Sequence, residues 1–148
     1  MQERFHTFTV LIMKINRSIH KIKTEEMLNF NLKSAHVSCL YYLYKSQSLT
    51  SKELCEICEE DKASVSRSIE YLEENGFVKC ESTAKKRYKA YLYLTEKGVV
   101  VGEHITKRID SVLNEASEGL TEEERESLYN CLYLIDKNLN KIVKKYGE

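Results

Sequence analysis

Proline and tryptophan are absent from this chain of 148 residues, and glycine occurs only five times. Residues that break helices are therefore scarce, and 42% apolar with 31% charged residues is typical of a mainly helical globular domain. Long hydrophobic runs are also lacking, since each extends over only a few residues, as at residues 99–101. We therefore expect neither a transmembrane span nor a signal peptide. Five cysteines, an odd number, without an export signal indicate a reducing cytoplasm.

Acidic and basic residues balance at 23 each, so the formal net charge is zero. This is unusual for a protein that binds nucleic acid, because phosphates attract a basic surface. The charges are unevenly placed, however: lysine and arginine cluster between residues 85 and 89, while glutamates dominate residues 118–126. The sequence therefore allows a local basic surface on a neutral protein.

Residues 49–95 contain the signals of two short helices joined by a tight turn. Thr50 and Glu53 have the spacing of a capping box at the start of the first helix. Asp61 can cap the second helix by accepting hydrogen bonds from the amides of its first turn. Only residues 59 and 60 remain for the turn. Two helices joined so closely must cross steeply, which predicts a helix-turn-helix.

The second of these helices has one apolar stripe, formed by Val65, Ile69 and Leu72. Their spacing of i, i+4 and i+7 turns this stripe toward the first helix. Outward positions in the N-terminal half are small, hydroxylated or cationic: Lys62, Ala63, Ser64, Ser66 and Arg67. Outward positions near the end are acidic and would repel phosphates: Glu70, Glu73 and Glu74. Only the N-terminal half is therefore expected to enter a DNA major groove.

Two runs rich in β-formers, residues 77–81 and 91–94, follow this helix after the Asn75-Gly76 terminator. The segment between them contains four cations and no acid: Lys85, Lys86, Arg87 and Lys89. The pattern predicts a β wing with a basic tip. We expect Ser64, Ser66 and Arg67 at bases, and Ser51, Lys52, Lys62 and the wing cations at phosphates.

These residues resemble the MarR family of winged helix-turn-helix transcriptional regulators, and the resemblance spans nearly the whole chain. It rests on the segment DKASVSRSIEYLEENGFV and on LTEKG after the wing. The matching positions are Asp61, Lys62, Val65, Arg67, Leu72, Gly76, Leu94, Thr95 and Gly98. One departure concerns the wing, where the family commonly has Asp-x-Arg and this chain has Lys86 and Tyr88.

The resemblance implies a mainly α fold with a small two- or three-stranded β wing, in which dimerisation helices flank a winged helix-turn-helix. Residues 32–95 would form the DNA-binding lobe of a single domain, and residues 1–30 and 96–148 the helical dimerisation lobe. It also implies a dimeric regulator of a pseudo-palindromic operator on double-stranded DNA, acting as a repressor that a small effector releases. The alternative is a winged-helix protein-interaction adaptor that does not bind DNA, which the zero net charge favours.

Apolar stripes on the terminal helices independently predict a dimer. On the first helix they are Phe5, Phe8, Ile12, Ile15, Ile19 and Ile22; on the last, after a Thr121–Glu124 capping box, Leu128, Leu132, Ile135, Leu139, Ile142 and Val143. A second helix over residues 32–45 and a fifth over 96–115 are also predicted, the latter with a stripe that includes Val100, Val101 and Ile105. A monomer that folds its terminal helices together is the alternative to a dimer.

The remaining candidates for chemistry are scattered. Cys55 and Cys58 lack a second pair for zinc, so we expect buried thiols, with redox sensing as the alternative. Lone histidines at 20, 36 and 104 are weak evidence for a metal, and we predict none. We expect an apolar or phenolic effector near Phe8, Ile12, His36, Tyr41 and His104, as the resemblance implies. No catalytic motif is present, and neither an enzyme nor a cofactor is predicted.

Overall fold

The computed structural model describes residues 3–58, 61–81 and 89–147. In these residues the α-helices are α1 (Ile12–Glu26), α2 (Ser34–Ser46), α3 (Ser51–Cys58), α4 (Lys62–Glu74), α5 (Glu96–Ala116) and α6 (Glu122–Lys144). The strands are β1 (Ser48–Thr50), β2 (Val78–Cys80) and β3 (Tyr91–Leu94). The fold class predicted from the sequence is therefore confirmed, with three strands rather than two.

The long first helix is confirmed with one difference at its start. A π-helical segment, His6–Leu11, precedes α1, so the spacing of side chains changes between the two parts. After a short 3-10 turn at Leu28–Phe30, Asn31 adopts the left-handed conformation with a φ of 55°. This residue ends the turn, and α2 begins at Ser34, two residues later than expected.

The wing is a three-stranded antiparallel sheet in which β3 lies between β1 and β2. Leu92 pairs with Leu49 on one side and with Cys80 on the other. The side chain of Leu92 is almost completely buried, at 2% exposure. The wing is thereby anchored by its central strand to the helices that precede it.

Two compact units are present, residues 1–107 and residues 108–148. In the first unit, α2 packs against α3 and α4, and α4 packs against α3. The side chains that are fully buried there are mostly leucines: Leu40, Leu43, Leu54, Leu72, Leu92, Ile105, Val65 and Cys39. Burying one such leucine stabilises the fold by about 1.5–3 kcal/mol. This core fixes the positions of α3 and α4.

The second unit contains the end of α5 and all of α6. Its connecting turn includes Gly119 with a φ of 89°. The predicted capping box of α6 is confirmed: the Thr121 amide donates to Glu124 Oε2 at 2.8 Å, and the Glu124 amide donates to Thr121 Oγ1 at 3.2 Å. Backbone and hydroxyl hydrogen bonds from Thr121 lower the pKa of Glu124.

The apolar stripes on α1 and α6 are exposed. Within residues 12–26 and 122–144, all of which the structure describes, no side chain is buried. Of the stripe predicted on α5, Val101 and Ile105 are buried, but Val100 is 66% exposed because it lies one position off the inward face. In the described parts of the chain, no helix combines the length and apolar content that a membrane span requires.

Candidate nucleic-acid interface

The first helix of the helix-turn-helix begins with the predicted capping box. The Thr50 amide donates to Glu53 Oε2 at 2.7 Å, and the Glu53 amide donates to Thr50 Oγ1 at 3.2 Å. The bond from the Thr50 amide, and then a bond from the Thr50 hydroxyl to Glu53 Oε2 at 2.8 Å, lower the pKa of Glu53 and keep its carboxylate charged. Ser51 and Lys52 follow in the first turn, half-buried and exposed respectively. The cap thus fixes the backbone that presents both side chains.

Asp61 caps the second helix as predicted. Its backbone is extended, and its carboxylate accepts a hydrogen bond from the Ser64 amide at 2.9 Å. The inward stripe is also confirmed, because Val65 and Leu72 are fully buried and Ile69 is 6% exposed. Ser68, at 4% exposure, joins this buried face. The sequence did not indicate that position, since serine on a helix usually faces solvent.

The outward face of α4 has the predicted division. In its N-terminal half, four of the expected side chains are exposed and one is half-buried: Lys62, Ala63, Ser66 and Arg67, and Ser64. In its C-terminal half, Glu70 and Glu74 are exposed and Glu73 is half-buried. A phosphate backbone would therefore meet cations and hydroxyls near Asp61, and carboxylates toward the other end.

Only part of the predicted wing tip can be located. Lys85, Lys86 and Arg87 lie outside the described residues, and so does Tyr88. Lys89 is exposed two residues before β3 begins. The Tyr93 hydroxyl donates to Glu81 Oε2 at 3.0 Å, a hydrogen bond that raises the pKa of the phenol.

A cleft of about 360 Å³ opens between α3, α4 and the wing. Its apolar lining comes from Cys55, Val65, Ile69, Cys80 and Leu92. Polar side chains surround that lining, and several belong to the predicted DNA surface: Ser51, Lys52, Lys62, Ser66, Glu56, Glu70 and Glu73. No pattern in the sequence indicated this cleft, because its residues come together only through packing of the sheet against two helices.

The expectation that Cys55 and Cys58 are buried is wrong. Both are half-buried. Leu54, the bulkier side chain, takes the core-facing position of α3 and is fully buried, which rotates Cys55 toward the cleft. Burial, and then the neighbouring Cys58, raise the pKa of Cys55, so its thiol is mainly protonated at neutral pH.

The residues predicted to surround an effector lie in different environments. His36 is buried and stacks on Tyr71, whereas the His104 ring lies 5.3 Å from that of Phe30. Phe8 and Ile12 are exposed on the first helical stretch, and Tyr41 packs edge-on against Tyr42. His36 and His104 therefore belong to separate ring pairs. In the described residues, no group of three or more His, Cys, Asp or Glu side chains is arranged to hold a metal ion.

One set of contacts was not foreseen. At the C-terminal end of α4, Thr95 and Lys97 from the following junction bond to the backbone of residues 75–77. The LTEKG segment contained a signal for these contacts. Its threonine lies at the start of α5, and a residue that starts a helix lies near the elements that the helix packs against. The spacing alone did not show which backbone would accept the bonds.

Comparison with known proteins agrees with this geometry. The model of the MarR family matches residues 30–87. The uncharacterized HTH-type transcriptional regulator YybA of Bacillus subtilis (strain 168) is 27% identical over 128 residues, which cover 86% of this chain and 85% of that protein.

Two solved structures share the fold. A Listeria monocytogenes protein assigned to the MarR family of transcriptional regulators, complexed with 26mer DNA, is 26% identical, with a TM-score of 0.78 over 94% of this chain and 90% of that one. The S. aureus MepR–DNA complex has a TM-score of 0.79 over 93% of this chain and 99% of its own, at 19% identity. The helix-turn-helix and its sheet therefore form a winged-helix fold like that of these transcriptional regulators. The match to the MarR family covers residues 30–87, which include the helix-turn-helix.

Proposed function

We propose that this protein is a homodimeric, sequence-specific DNA-binding repressor that a small effector releases. The observation that carries the proposal is the outward face of α4. Its N-terminal half combines Lys62, Ser66 and Arg67 on one exposed surface, held by the Asp61 cap and by the buried stripe behind it. Arginine can bond the guanine edge in the major groove, and serine can bond any base or phosphate.

Contacts to phosphates come from both sides of that surface. Ser51 and Lys52 lie at the start of α3, next to the same cleft that Lys62 and Ser66 line. Lys89, and the predicted cations at 85–87, supply the wing side. Each phosphate contact releases counterions, so affinity for the duplex must fall steeply with added salt. The acidic end of α4 limits contact to its first turns.

Dimerisation is supported by the exposed apolar side chains of α1 and α6. Ile12, Ile15 and Ile19 of α1 are each 42–50% exposed, although they form one stripe. Leu128, Leu132, Leu139 and Ile142 of α6 are similarly exposed. Monomeric proteins rarely leave so much contiguous apolar surface in water. A second copy would cover these stripes and place two α4 helices in successive major grooves, about one helical turn apart.

The test begins with selection of bound duplexes from a random library by the full-length protein. Affinity for the selected duplex and for a scrambled one is then measured by fluorescence anisotropy at several salt concentrations. We expect the selected sequence to contain an inverted repeat and to bind at least about 1,000-fold more tightly than the scrambled duplex. Weak binding that hardly depends on salt or sequence would contradict the proposal and favour the adaptor.

For the effector, we propose a small apolar or phenolic molecule whose binding weakens DNA binding. The family resemblance and the aromatic content of these helices favour a site near Phe8, Ile12, His36, Tyr41 and His104. The cleft beside α4 is a second location, and its size is within the range of small-molecule sites. Because the cleft shares Lys52, Lys62 and Ser66 with the DNA surface, an occupant would compete with the operator directly. An effector shifts this equilibrium only by its different affinity for the free and DNA-bound states.

A thermal-shift screen of phenolic compounds, with and without the selected duplex, tests this part. A true effector raises the melting temperature of the free protein more than that of the complex. Two variants then locate it: His104→Ala near the predicted residues, and Ser66→Tyr at the edge of the cleft. Loss of the shift in only one variant assigns the site, and a shift retained in both would exclude both locations.

A further inference from the structure

Helix α4, the recognition helix of the proposed docking, ends in a hydrogen-bonded turn. The Phe77 amide donates to the Leu72 carbonyl at 2.8 Å, and the Gly76 amide donates to the Glu73 carbonyl at 3.0 Å. Gly76 has a φ of 72°, the left-handed conformation that closes a helix in this way. Asn75, predicted to share this role, has a φ of −90°. The carbonyls of Asn75, Gly76 and Phe77 therefore point beyond α4, where another element can bond them.

The start of α5 supplies those bonds. The Thr95 hydroxyl donates to the Gly76 carbonyl at 2.6 Å, and the Thr95 amide donates to the Phe77 carbonyl at 3.0 Å. The same hydroxyl accepts a hydrogen bond from the Gly98 amide at 3.0 Å. Thr95 thus starts α5 and at the same time bonds the end of the α4 turn.

Gly98 allows the two backbones to approach this closely. A Cβ atom at this position would lie 2.0 Å from the Phe77 carbonyl oxygen and 3.0 Å from its carbonyl carbon. Those atoms belong to the backbone and cannot move aside as a flexible side chain can. The junction between α5 and the α4 turn is therefore a close backbone contact.

Lys97 completes the junction with a charge. Its Nζ donates to the Asn75 carbonyl at 2.8 Å and lies 4.1 Å from the centroid of the Phe77 ring. Phe77 is only 4% exposed, so its ring is a fixed platform for the lysine. A cation at the C-terminal end of a helix also interacts favourably with the helix dipole of α4, and the ammonium over the ring adds a cation–π contact.

In the proposed docking, Lys97 lies beside the C-terminal end of α4 and does not touch DNA. The helix has 13 residues, which corresponds to about 20 Å between its two ends. The proposed DNA-contacting side chains follow Asp61, whereas Lys97 bonds the opposite end, beyond Glu73 and Glu74. Any effect of Lys97 on DNA binding must therefore be transmitted through the position of α4.

We propose that Lys97 is a positioning residue for DNA binding, which fixes the C-terminal end of the recognition helix to the start of α5. The proposal rests on the proposed function, because it assigns the residue a role in operator binding. It follows that the orientation of α4 depends on contacts made by Thr95, Gly98 and Lys97. Of these three residues, only Lys97 makes its contacts entirely through a side chain that can be replaced without changing the backbone.

The test compares Lys97→Met, Lys97→Arg and a matched control, Lys107→Met. Methionine keeps the apolar stem over Phe77 and removes the donor and the charge. Lys107 is exposed on the same helix and pairs with Glu103 at 2.7 Å, so its loss changes the net charge equally without touching the α4 turn. Affinity for the selected duplex is measured as a function of salt, and hydrogen exchange of the amides of Gly76 and Phe77 is measured without DNA.

For Lys97→Met we expect exchange of both amides to become about three- to tenfold faster. We expect a loss of operator affinity of about the same factor, with an unchanged slope of affinity against salt, because no phosphate contact is lost. Lys97→Arg should retain most of both properties, and Lys107→Met should match the wild type.

Three results would overturn the proposal. Unchanged amide exchange in Lys97→Met would show that the lysine does not hold the turn. Faster exchange with unchanged affinity would show that the turn does not position α4 for binding. A salt slope smaller by about one unit would show a direct phosphate contact instead. If the wild type bound no duplex specifically, the proposed function itself would fail, and the exchange data would still decide whether Lys97 holds the turn.

Discussion

The imidazole ring of His36 on α2 lies parallel to the phenol ring of Tyr71 on α4, with centroids 4.4 Å apart and planes 8° from parallel. Each ring is held by one further hydrogen bond. His36 Nδ1 accepts from the Lys33 amide at 3.0 Å, and the Tyr71 hydroxyl donates to the Asn31 carbonyl at 2.6 Å. The start of α2 is thereby joined to the C-terminal half of α4, and the junction needs a neutral imidazole because protonated Nδ1 cannot accept a hydrogen bond.

The first prediction concerns pH. Burial, and then the positive charge of Lys33, lower the pKa of His36 below the ordinary value of 6.5. The unfolded chain therefore binds this proton more readily than the folded one. The resulting stability is complete above pH 6.5 and is lost as the pH falls through the folded pKa. By urea denaturation at pH 7.5, we expect His36→Gln to have a free energy of unfolding about 1–2 kcal/mol lower than that of the wild type. Between pH 7.5 and pH 5.0, the free energy of unfolding of this variant should change less than that of the wild type.

The control for this prediction is His20→Gln, which removes an exposed imidazole from α1. Its pH dependence should match that of the wild type. If His36→Gln became less stable on acidification by as much as the wild type does, another group would be responsible for the effect.

The second prediction concerns the proposed contact of Arg67 with a base. Removing a bidentate contact to a base costs about 1–3 kcal/mol of discrimination. Arg67→Ala should therefore bind the selected duplex about 5- to 150-fold more weakly, while its affinity for a scrambled duplex changes much less. Arg17→Ala, which removes the same charge from exposed α1, should bind both duplexes like the wild type. Equal losses for both duplexes in Arg67→Ala would make Arg67 a phosphate contact rather than a specificity residue.

The helix starts were predictable because their signals are local. Thr50 with Glu53, and Thr121 with Glu124, each bond across three residues, so their spacing is visible in the sequence. The outward and inward faces of α4 follow from helical periodicity for the same reason. Local patterns were less informative about α3, where Leu54 rather than the two cysteines proved to face the core.

Contacts between distant residues were not predictable from such patterns. Leu49 of strand β1 pairs with Leu92 of the central strand. No local pattern in residues 48–50 identifies them as the partner of that strand. The Lys97–Asn75 and Tyr71–Asn31 bonds also join separate elements. Single residues in one sequence do not reveal such pairs, because many surface lysines and tyrosines would fit equally well.

The third prediction separates the hydrogen bond by which Asp61 caps α4 from the negative charge of Asp61. Asp61→Asn keeps an oxygen that can accept from the Ser64 amide, whereas Asp61→Ala removes it, at a cost of about 1 kcal/mol in stability. Because the cap orders the helix turn that we propose to face DNA, Asp61→Ala should bind the selected duplex more weakly than Asp61→Asn. Both variants lose the same negative charge, so the difference between them measures the cap alone.

Thr121→Ala is the matched control, since it removes an equivalent cap from α6. It should lose similar stability in denaturation experiments and bind DNA like the wild type. A loss of operator affinity in Thr121→Ala as large as that in Asp61→Ala would mean that general stability, and not the order of the recognition helix, determines binding.

The last prediction concerns the second copy that we propose to cover α1. Ile15 and Ile19 are 50% and 46% exposed and lie one turn apart on its apolar stripe. Burying a carboxylate there in a dimer interface would be strongly unfavourable. Ile15→Asp with Ile19→Asp should therefore sediment as a monomer at a concentration where the wild type is a dimer. Asn16→Asp with His20→Asp adds the same charges, also one turn apart, next to the stripe on exposed α1, and should remain dimeric.

DNA binding links this association to function. A monomer holds one half-site at a time, so the Ile15→Asp/Ile19→Asp protein should lose most of its affinity for the full inverted repeat and little for an isolated half-site. Both affinities can be measured by fluorescence anisotropy, one with the full inverted repeat and one with the isolated half-site. Two results would show that α1 is covered in some other way: a wild-type protein that sediments as a monomer at tens of micromolar, or an Ile15→Asp/Ile19→Asp variant that stays dimeric. Either result would exclude the proposed docking of two α4 helices in successive major grooves.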